Sequence, residues 1–270
     1  MRSGDRRGAG LRWAATILVA VLALAGCGGS SDEGAGPVPS TASPAATAAP
    51  AGAADVFARV ATATEGVKYV RGTLTTDAGG GSLKGTFAYA FTDAGTTAKV
   101  SFEQEGQKFN GIVTPDALYV SGGGLPLPGG KKYLKVGFSD SSTLGAQFSG
   151  LAKNVLSSAD FSGSVKQWQG MSGLRAAGTE TINGVTATKY VGTVDPAKVA
   201  RASAAADAGV SGVDTTVWIG PDGLPVRVKA VSQGVESTTV LDYTDWNVPN
   251  EVTVPPASQV TDLDSLLPGA

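Results

Sequence analysis

The chain offers few side chains for covalent chemistry. It has one cysteine, Cys27, and no histidine among its 270 residues. An intrachain disulfide is therefore impossible, and no imidazole is present to act as a base, to activate a serine or to bind a metal. The thiol of Cys27 is the remaining candidate, and it lies between an apolar run and a stretch of small polar residues, LALAGCGGSSDEG.

Other motifs do not support catalysis. The stretch GGGLPLPGGKK, residues 122–132, lacks the first glycine and the Ser/Thr of a phosphate-binding loop, and a strand-like run follows it. Glu103 and Glu105 fall on the polar face of a predicted strand, where most charges are solvated. Asp262 and Asp264 lack the glycine and the distal glutamate of a calcium loop. We therefore predict no catalytic residue, no cofactor and no metal site.

The residues before Cys27 have the pattern of an export signal. Four arginines precede an apolar run from Ala14 to Ala25, which has the length of a signal-peptide core and is too short to span a membrane. The sequence LAGC then resembles the bacterial lipobox. The resemblance implies that residues 1–26 are removed and that Cys27 becomes a diacylglyceryl cysteine carrying palmitate-type chains, an anchor in the membrane. The alternatives are an inert cysteine or an ordinary secretory signal.

Removal of this leader makes the mature chain more acidic. The full chain has a formal net charge of −2, and residues 1–26 hold four Arg and one Asp, so the mature chain carries −5. Because an acidic domain binds nucleic acid poorly, we predict no nucleic-acid partner. The expected location is the extracytoplasmic face of the cell membrane.

Composition divides the mature chain into three parts. Residues 27–52 consist almost entirely of Gly, Ser, Ala, Thr and Pro, and this composition predicts a disordered tether behind the lipid anchor. Residues 53–262 are predicted to form one domain. Residues 263–270 are expected to be a flexible tail.

The domain shows both helical and strand periodicity. Residues 53–66 have apolar side chains at helical spacing, as do residues 144–168, where Asp160 is a candidate N-cap for a second helical piece. Pro196 is placed to begin a further helix over residues 196–209. Six runs between residues 68 and 138 and five between 174 and 246 alternate as strands, and Asn183-Gly184 is a strong hairpin signal. The pattern predicts an α+β fold in which helices cover the apolar face of an antiparallel sheet.

Three stretches of the sequence resemble one lipoprotein family. They are GTETINGVTATKYVGTVD, TTVWIGPDGLPVRVKAV and STTVLDYTDWNVPNEVTVPPASQV, between residues 178 and 260. They are similar to the actinobacterial LppX/LprG-type lipoproteins, relatives of the LolA and LolB carriers. The resemblance implies a LolA-like fold, a curved antiparallel half-barrel whose concave apolar face is covered by helices, with a cavity that takes acyl chains.

The cavity that the resemblance implies has candidate lining residues in the predicted strands and helices. Glycine or alanine at positions 85, 88, 111, 146 and 150 favours free volume beside them. Three lysines beside the glycine-rich loop are candidates for an anionic headgroup. The lining candidates are Phe87, Tyr89, Phe91, Val100, Phe102, Tyr119, Phe148, Leu151, Val155, Phe161 and Trp168, and the headgroup candidates are Lys131, Lys132 and Lys135.

The expected function is binding, and transport, of lipid or lipoglycan by a monomeric, membrane-anchored envelope lipoprotein. The ligand and the membrane are the expected partners, with a membrane transporter as a further one, and no enzymatic activity is predicted. The alternative is an envelope protein-interaction or sensor module whose core is solid. A packed core explains any single aromatic position as well as a cavity does.

Overall fold

The computed structural model describes residues 52–104, 106–139, 142–196, 209–250 and 252–266. Cys27, the leader, the tether up to residue 51 and most of the predicted helix at 196–209 lie outside these ranges. Within them the chain forms three α-helices and twelve strands. The helices are α1 Ala53–Glu65, α2 Thr143–Ser157 and α3 Phe161–Gln169. The strands are β1 Tyr69–Ala78, β2 Gly81–Thr92, β3 Gly95–Gln104, β4 Gln107–Val113, β5 Ala117–Gly122, β6 Tyr133–Gly137, β7 Ser172–Ile182, β8 Val185–Val194, β9 Gly212–Ile219, β10 Pro225–Gln233, β11 Ser237–Trp246 and β12 Val260–Asp262.

All twelve strands belong to one open sheet. Their order is β12-β6-β5-β4-β3-β2-β1-β11-β10-β9-β8-β7. Short turns connect β1 to β5 and β9 to β11, and a longer loop, residues 123–132, connects β5 to β6. All these neighbours are antiparallel, as predicted. The pairing of β1 with β11 joins the two meanders at the centre of the sheet. The coarse prediction, an antiparallel sheet with helices, is confirmed.

One face of the sheet carries the helices, and we call it the helix-bearing face. Val56, Phe57 and Val60 of α1 form one core with strand residues of β8 to β10 and with Trp168 of α3. A second core joins α2 and the start of α3 to apolar residues of β1 to β5. The alternation of apolar and polar residues explains this arrangement, because side chains of a strand point to opposite faces in turn.

Side-chain hydrogen bonds mark the starts of α2 and α3. The Ser142 side chain accepts a hydrogen bond from the N–H of Gly145 at the start of α2. Asp160 accepts from the N–H groups of Ser162 and Gly163, which confirms its predicted N-cap role.

Among the described residues, no helix has both the length and the apolar character needed to cross a membrane.

The end of the chain differs from its prediction. β12 pairs in parallel with β6 at the edge of the sheet, with Thr261 opposite Leu134, and this three-residue strand was not predicted. Leu263, which the sequence analysis placed in a flexible tail, is 3% exposed and packs with Leu134 and Val136. Three residues give too little alternation to be identified as a strand without knowledge of the neighbouring edge.

Candidate functional site

A row of residues on the helix-bearing face is only half-buried. Leu241 of β11 pairs with Leu74 of β1, which pairs with Gly85 of β2. The row continues through Phe102 of β3 and Phe109 of β4. All five residues remain partly accessible. We call these five residues the central row.

The same row is fully covered on one side. Beyond Leu241 it continues through Val228, Val217 and Tyr190, which are 0%, 0% and 3% exposed. These residues belong to the core beneath α1 and α3. The principal sheet contacts of α2 are with β3 to β6. The accessible part of the row therefore begins where the cover of α1 and α3 ends.

Phenylalanine rings lie across glycines of neighbouring strands in this region. A Cβ atom added to Gly85 would stand 2.8 Å from Cδ1 of Phe102 and 2.7 Å from the carbonyl oxygen of Ser101. Phe87 lies in the same way over Gly72 of β1. Each ring thus covers a glycine of the neighbouring strand and forms part of the apolar surface of the helix-bearing face.

Two of the glycines, Gly85 and Gly111, do not mark empty space, contrary to the expectation from the sequence. Phe102 occupies the room above Gly85, and a Cβ atom on Gly111 would stand 2.9 Å from Cγ2 of Val100. Gly150 on α2 has no atom within 4 Å of such a Cβ. The missing side chains of the two strand glycines are thus compensated by larger partners in the next strand.

Aromatic rings close one end of this region. Phe161, the first residue of α3, has its ring centroid 6.2 Å from that of Phe91, 6.1 Å from Tyr243 and 5.1 Å from Trp246. Tyr243 and Trp246 stack at 5.1 Å. The central row lies next to this cluster, because Leu241 precedes Tyr243 by two residues on the same face of β11.

Two buried tyrosines of this region differ in their hydrogen bonding. The hydroxyl of Tyr89 lies 2.8 Å from Oγ of Ser158. Burial raises the pKa of Tyr89 to about 12. Burial is the main cause that raises the pKa of Tyr243, and the neighbouring Tyr89 adds to the rise. The hydroxyl of Tyr243 has no hydrogen bond with any described residue.

The structure brings most of the predicted lining residues together. Eight lie in or against the second core, and Leu151 is half-buried on α2. The eight are Phe87, Tyr89, Phe91, Val100, Phe102, Phe148, Val155 and Phe161.

The other two lining candidates lie elsewhere. Tyr119 is on the opposite face of β5, packed with Ile112 and Val252. Trp168 belongs to the core of α1 and α3, with its ring centroid 5.7 Å from that of Phe57. Alternation along β5 puts Leu118, not Tyr119, on the helix-bearing face.

Two of the three headgroup candidates have protein partners. The Nζ of Lys131 donates to the carbonyl oxygen of Ser258 at 2.9 Å. The Nζ of Lys135 lies 3.4 Å from Oδ1 of Asp262. These contacts tie β6 to the C-terminal segment. Lys132 is exposed, and its backbone N–H donates to Gln259.

The described carboxylates form no metal site. No group of three or more Cys, Asp or Glu side chains that could hold a metal ion is found in the described part of the chain. Of the predicted carboxylate pairs, Glu103 lies 3.7 Å from Nζ of Lys108, while Glu105 is outside the described ranges. A depression of about 640 Å³ beside Asp77 and Glu236 is formed by the β1–β2 and β10–β11 turns, away from the central row.

Sequence reasoning missed Leu74, Phe109, Leu241 and Tyr243. Thr239, Leu241 and Tyr243 alternate along β11, which was a usable signal for their shared face. The pairing of β1 with β11 was the missing information, because it joins residues such as Leu74 and Leu241 that are far apart in the chain.

Comparisons with known proteins agree with the resemblance seen in the sequence. The model of the LppX_LprAFG lipoprotein family matches residues 129–254. No curated protein matches the chain. Among solved structures, the lipoprotein LppX of Mycobacterium tuberculosis is 20% identical, with a TM-score of 0.48 over 74% of this chain and 98% of LppX. LprF of Mycobacterium bovis is 17% identical, with a TM-score of 0.49 over 77% of this chain and 99% of LprF.

A third solved structure comes from another group. It is the MucA/MucB complex of Pseudomonas aeruginosa, which is 16% identical, with a TM-score of 0.40 over 76% of this chain and 62% of the matched chain. The family match covers α2, α3 and the strands β6 to β11 that carry the quoted motifs. Over residues 129–254 the chain matches the model of the LppX_LprAFG lipoprotein family, which confirms the resemblance predicted from its sequence.

Proposed function

We propose that the protein binds a lipid or lipoglycan by its acyl chains along the central row. The proposal rests on one observation: the five residues of this row, from Leu241 to Phe109, remain half-buried. An interior face of a sheet normally buries its apolar side chains fully against the covering layer. A row that stays accessible between helix-covered areas provides an apolar surface on which an acyl chain can lie.

The energy of binding follows from the apolar area that an acyl chain removes from water. Burial contributes about 25 cal/mol for each Å² of apolar surface. Rings such as that of Phe102, which lies over Gly85, supply apolar surface for the acyl chain. The site therefore needs no charged group to hold the hydrocarbon portion, and an exposed residue such as Lys132 remains our candidate for an anionic headgroup.

The proposed setting is the extracytoplasmic face of the cell membrane. Cys27 carries the diacylglyceryl anchor, and residues 28–52 hold the domain away from the lipid headgroups. A flexible chain of about 25 residues has an end-to-end distance of roughly 25 to 30 Å. We further propose that the sheet curves around the ligand, with α1 to α3 covering its concave face.

Membrane attachment is tested by the variant Cys27→Ala. We expect the variant to appear in the soluble fraction as a folded domain, whereas the wild type sediments with membranes. A variant that still sediments with membranes would show that another segment anchors the chain.

Ligand binding is tested by native mass spectrometry of the protein extracted from its own host. Wild type should carry lipid. Leu74→Trp fills the central row and should remove the lipid, whereas Thr75→Trp, one residue along on the opposite face of β1, should retain it. Bare polypeptide mass in all three proteins would favour the alternative, a protein-interaction or sensor module with a solid core.

A further inference from the structure

The hydroxyl of Tyr243 is a polar group in an apolar surrounding. The rings of Phe87, Phe161 and Trp246 lie around Tyr243 at centroid distances of 5.8, 6.1 and 5.1 Å. Its hydroxyl has no hydrogen-bond partner among the described residues, in contrast to that of Tyr89. A ligand that covers this hydroxyl and offers it no partner takes away its water and leaves it unpaired, which is unfavourable.

The position of Tyr243 explains how the hydroxyl stays unpaired. Tyr243 and Leu241 are the two strand residues that pack against both helix-covered cores. The Tyr243 side chain is partly accessible, although surrounding protein atoms desolvate its hydroxyl and raise its pKa. The hydroxyl is not one of the fully buried, unpaired side-chain atoms of the described residues, so it is open to water or to a ligand. The space above its strand partner, Gly72, is filled by the ring of Phe87.

We propose that the Tyr243 hydroxyl selects ligands whose hydrocarbon portion bears a hydrogen-bonding group, such as a hydroxyl, a keto oxygen or an ester. This inference rests on the proposed lipid site and assigns Tyr243 as its specificity-determining residue. Tyr243 is next to Leu241 on the helix-bearing face, so a chain along the central row passes within reach of it. An unsubstituted chain leaves the hydroxyl unpaired, whereas an oxygen on the chain pairs with it.

The test compares two ligands that differ by one hydroxyl, oleate and ricinoleate, on the delipidated mature protein. Wild type should bind ricinoleate about fivefold more tightly than oleate, the ratio expected for one net hydrogen bond. Tyr243→Phe should bring this ratio to one or below, because the ricinoleate hydroxyl then has no partner, and should not weaken the binding of oleate. Tyr133→Phe is the matched control and should keep the ratio, because Tyr133 lies on the opposite face of the sheet.

Each outcome has a separate meaning. Equal affinities in wild type, or a ratio that persists in Tyr243→Phe, would overturn the role of Tyr243 and leave the lipid site intact. Failure of wild type to bind either fatty acid contradicts the proposed function itself. Should Tyr243→Phe not fold, the ultraviolet difference spectrum of wild type decides: ricinoleate must shift the tyrosine band further than oleate does, and equal shifts would overturn the role of Tyr243.

Discussion

The hydroxyl of Tyr89 on β2 donates a hydrogen bond to Oγ of Ser158, the residue that follows α2. The two oxygens are 2.8 Å apart. The direction is fixed because the single hydroxyl proton of Ser158 is donated to the carbonyl oxygen of Val155 at 2.7 Å. This bond connects the end of a helix with the centre of the helix-bearing face.

Loss of this hydrogen bond should destabilise the domain. We expect Tyr89→Phe to lower the free energy of unfolding by about 1 kcal/mol, the net contribution of one buried hydrogen bond. Urea unfolding followed by circular dichroism measures it. The control is Tyr133→Phe, a half-buried tyrosine on the opposite face. Equal losses in the two variants would show that the bond to Ser158 contributes nothing specific.

The buried tyrosines also predict a decrease in stability at high pH. Tyrosine has an ordinary pKa of 10.0, whereas burial raises that of Tyr89 to about 12. Between these values the native state holds a proton that the unfolded state has lost, so stability falls as the pH rises above about 10. For Tyr89 the loss reaches about 1 kcal/mol near pH 11. Tyr243 acts in the same direction.

The measurement is a series of urea unfolding curves between neutral pH and about pH 11. Tyr89→Phe and Tyr243→Phe should each flatten the decline, because a phenylalanine cannot titrate. A decline of the same slope in all proteins would assign it to other groups and contradict the prediction.

The sheet strands and the helix starts were predictable because they depend on local signals. Alternation placed Phe87 and Val100 on one face, and the side-chain oxygen of Asp160 marked the start of α3. Long-range pairing had no local signal. The central row depends on Leu74 meeting Leu241 across β1 and β11, and β12 depends on an edge that only the folded sheet presents.

The close contact between Gly85 and Phe102 predicts a loss of stability on adding a methyl group. Gly85→Ala places Cβ 2.7 Å from a backbone oxygen and 2.8 Å from the Phe102 ring, and overpacking of this kind costs about 1–3 kcal/mol. Gly150→Ala is the opposite case. It lies inside α2 with no atom within 4 Å of the new Cβ, so it should stabilise the protein by about 0.5–1 kcal/mol. Thermal unfolding of both variants checks the sign of each change.

The paired side chains of Arg227 and Asp242 should contribute more than an exposed ion pair. They are strand partners on β10 and β11, they form two hydrogen bonds, and their side chains are only 28% and 19% exposed. The bond to Asp242 raises the pKa of Arg227. Asp242→Asn keeps the shape and removes the charge, and we expect it to cost about 1–2 kcal/mol.

Glu103→Gln is the matched control for this pair. Glu103 and Lys108 are also strand partners, but their side chains are 54% and 73% exposed and lie 3.7 Å apart. Solvent screens such a pair, so the control should change stability by less than about 0.5 kcal/mol. In 1 M salt the small effect of Glu103→Gln should vanish, whereas most of the Asp242→Asn effect should persist because that pair is shielded from ions by the protein. Equal salt sensitivity of the two variants would show that the Arg227–Asp242 pair behaves as a surface contact.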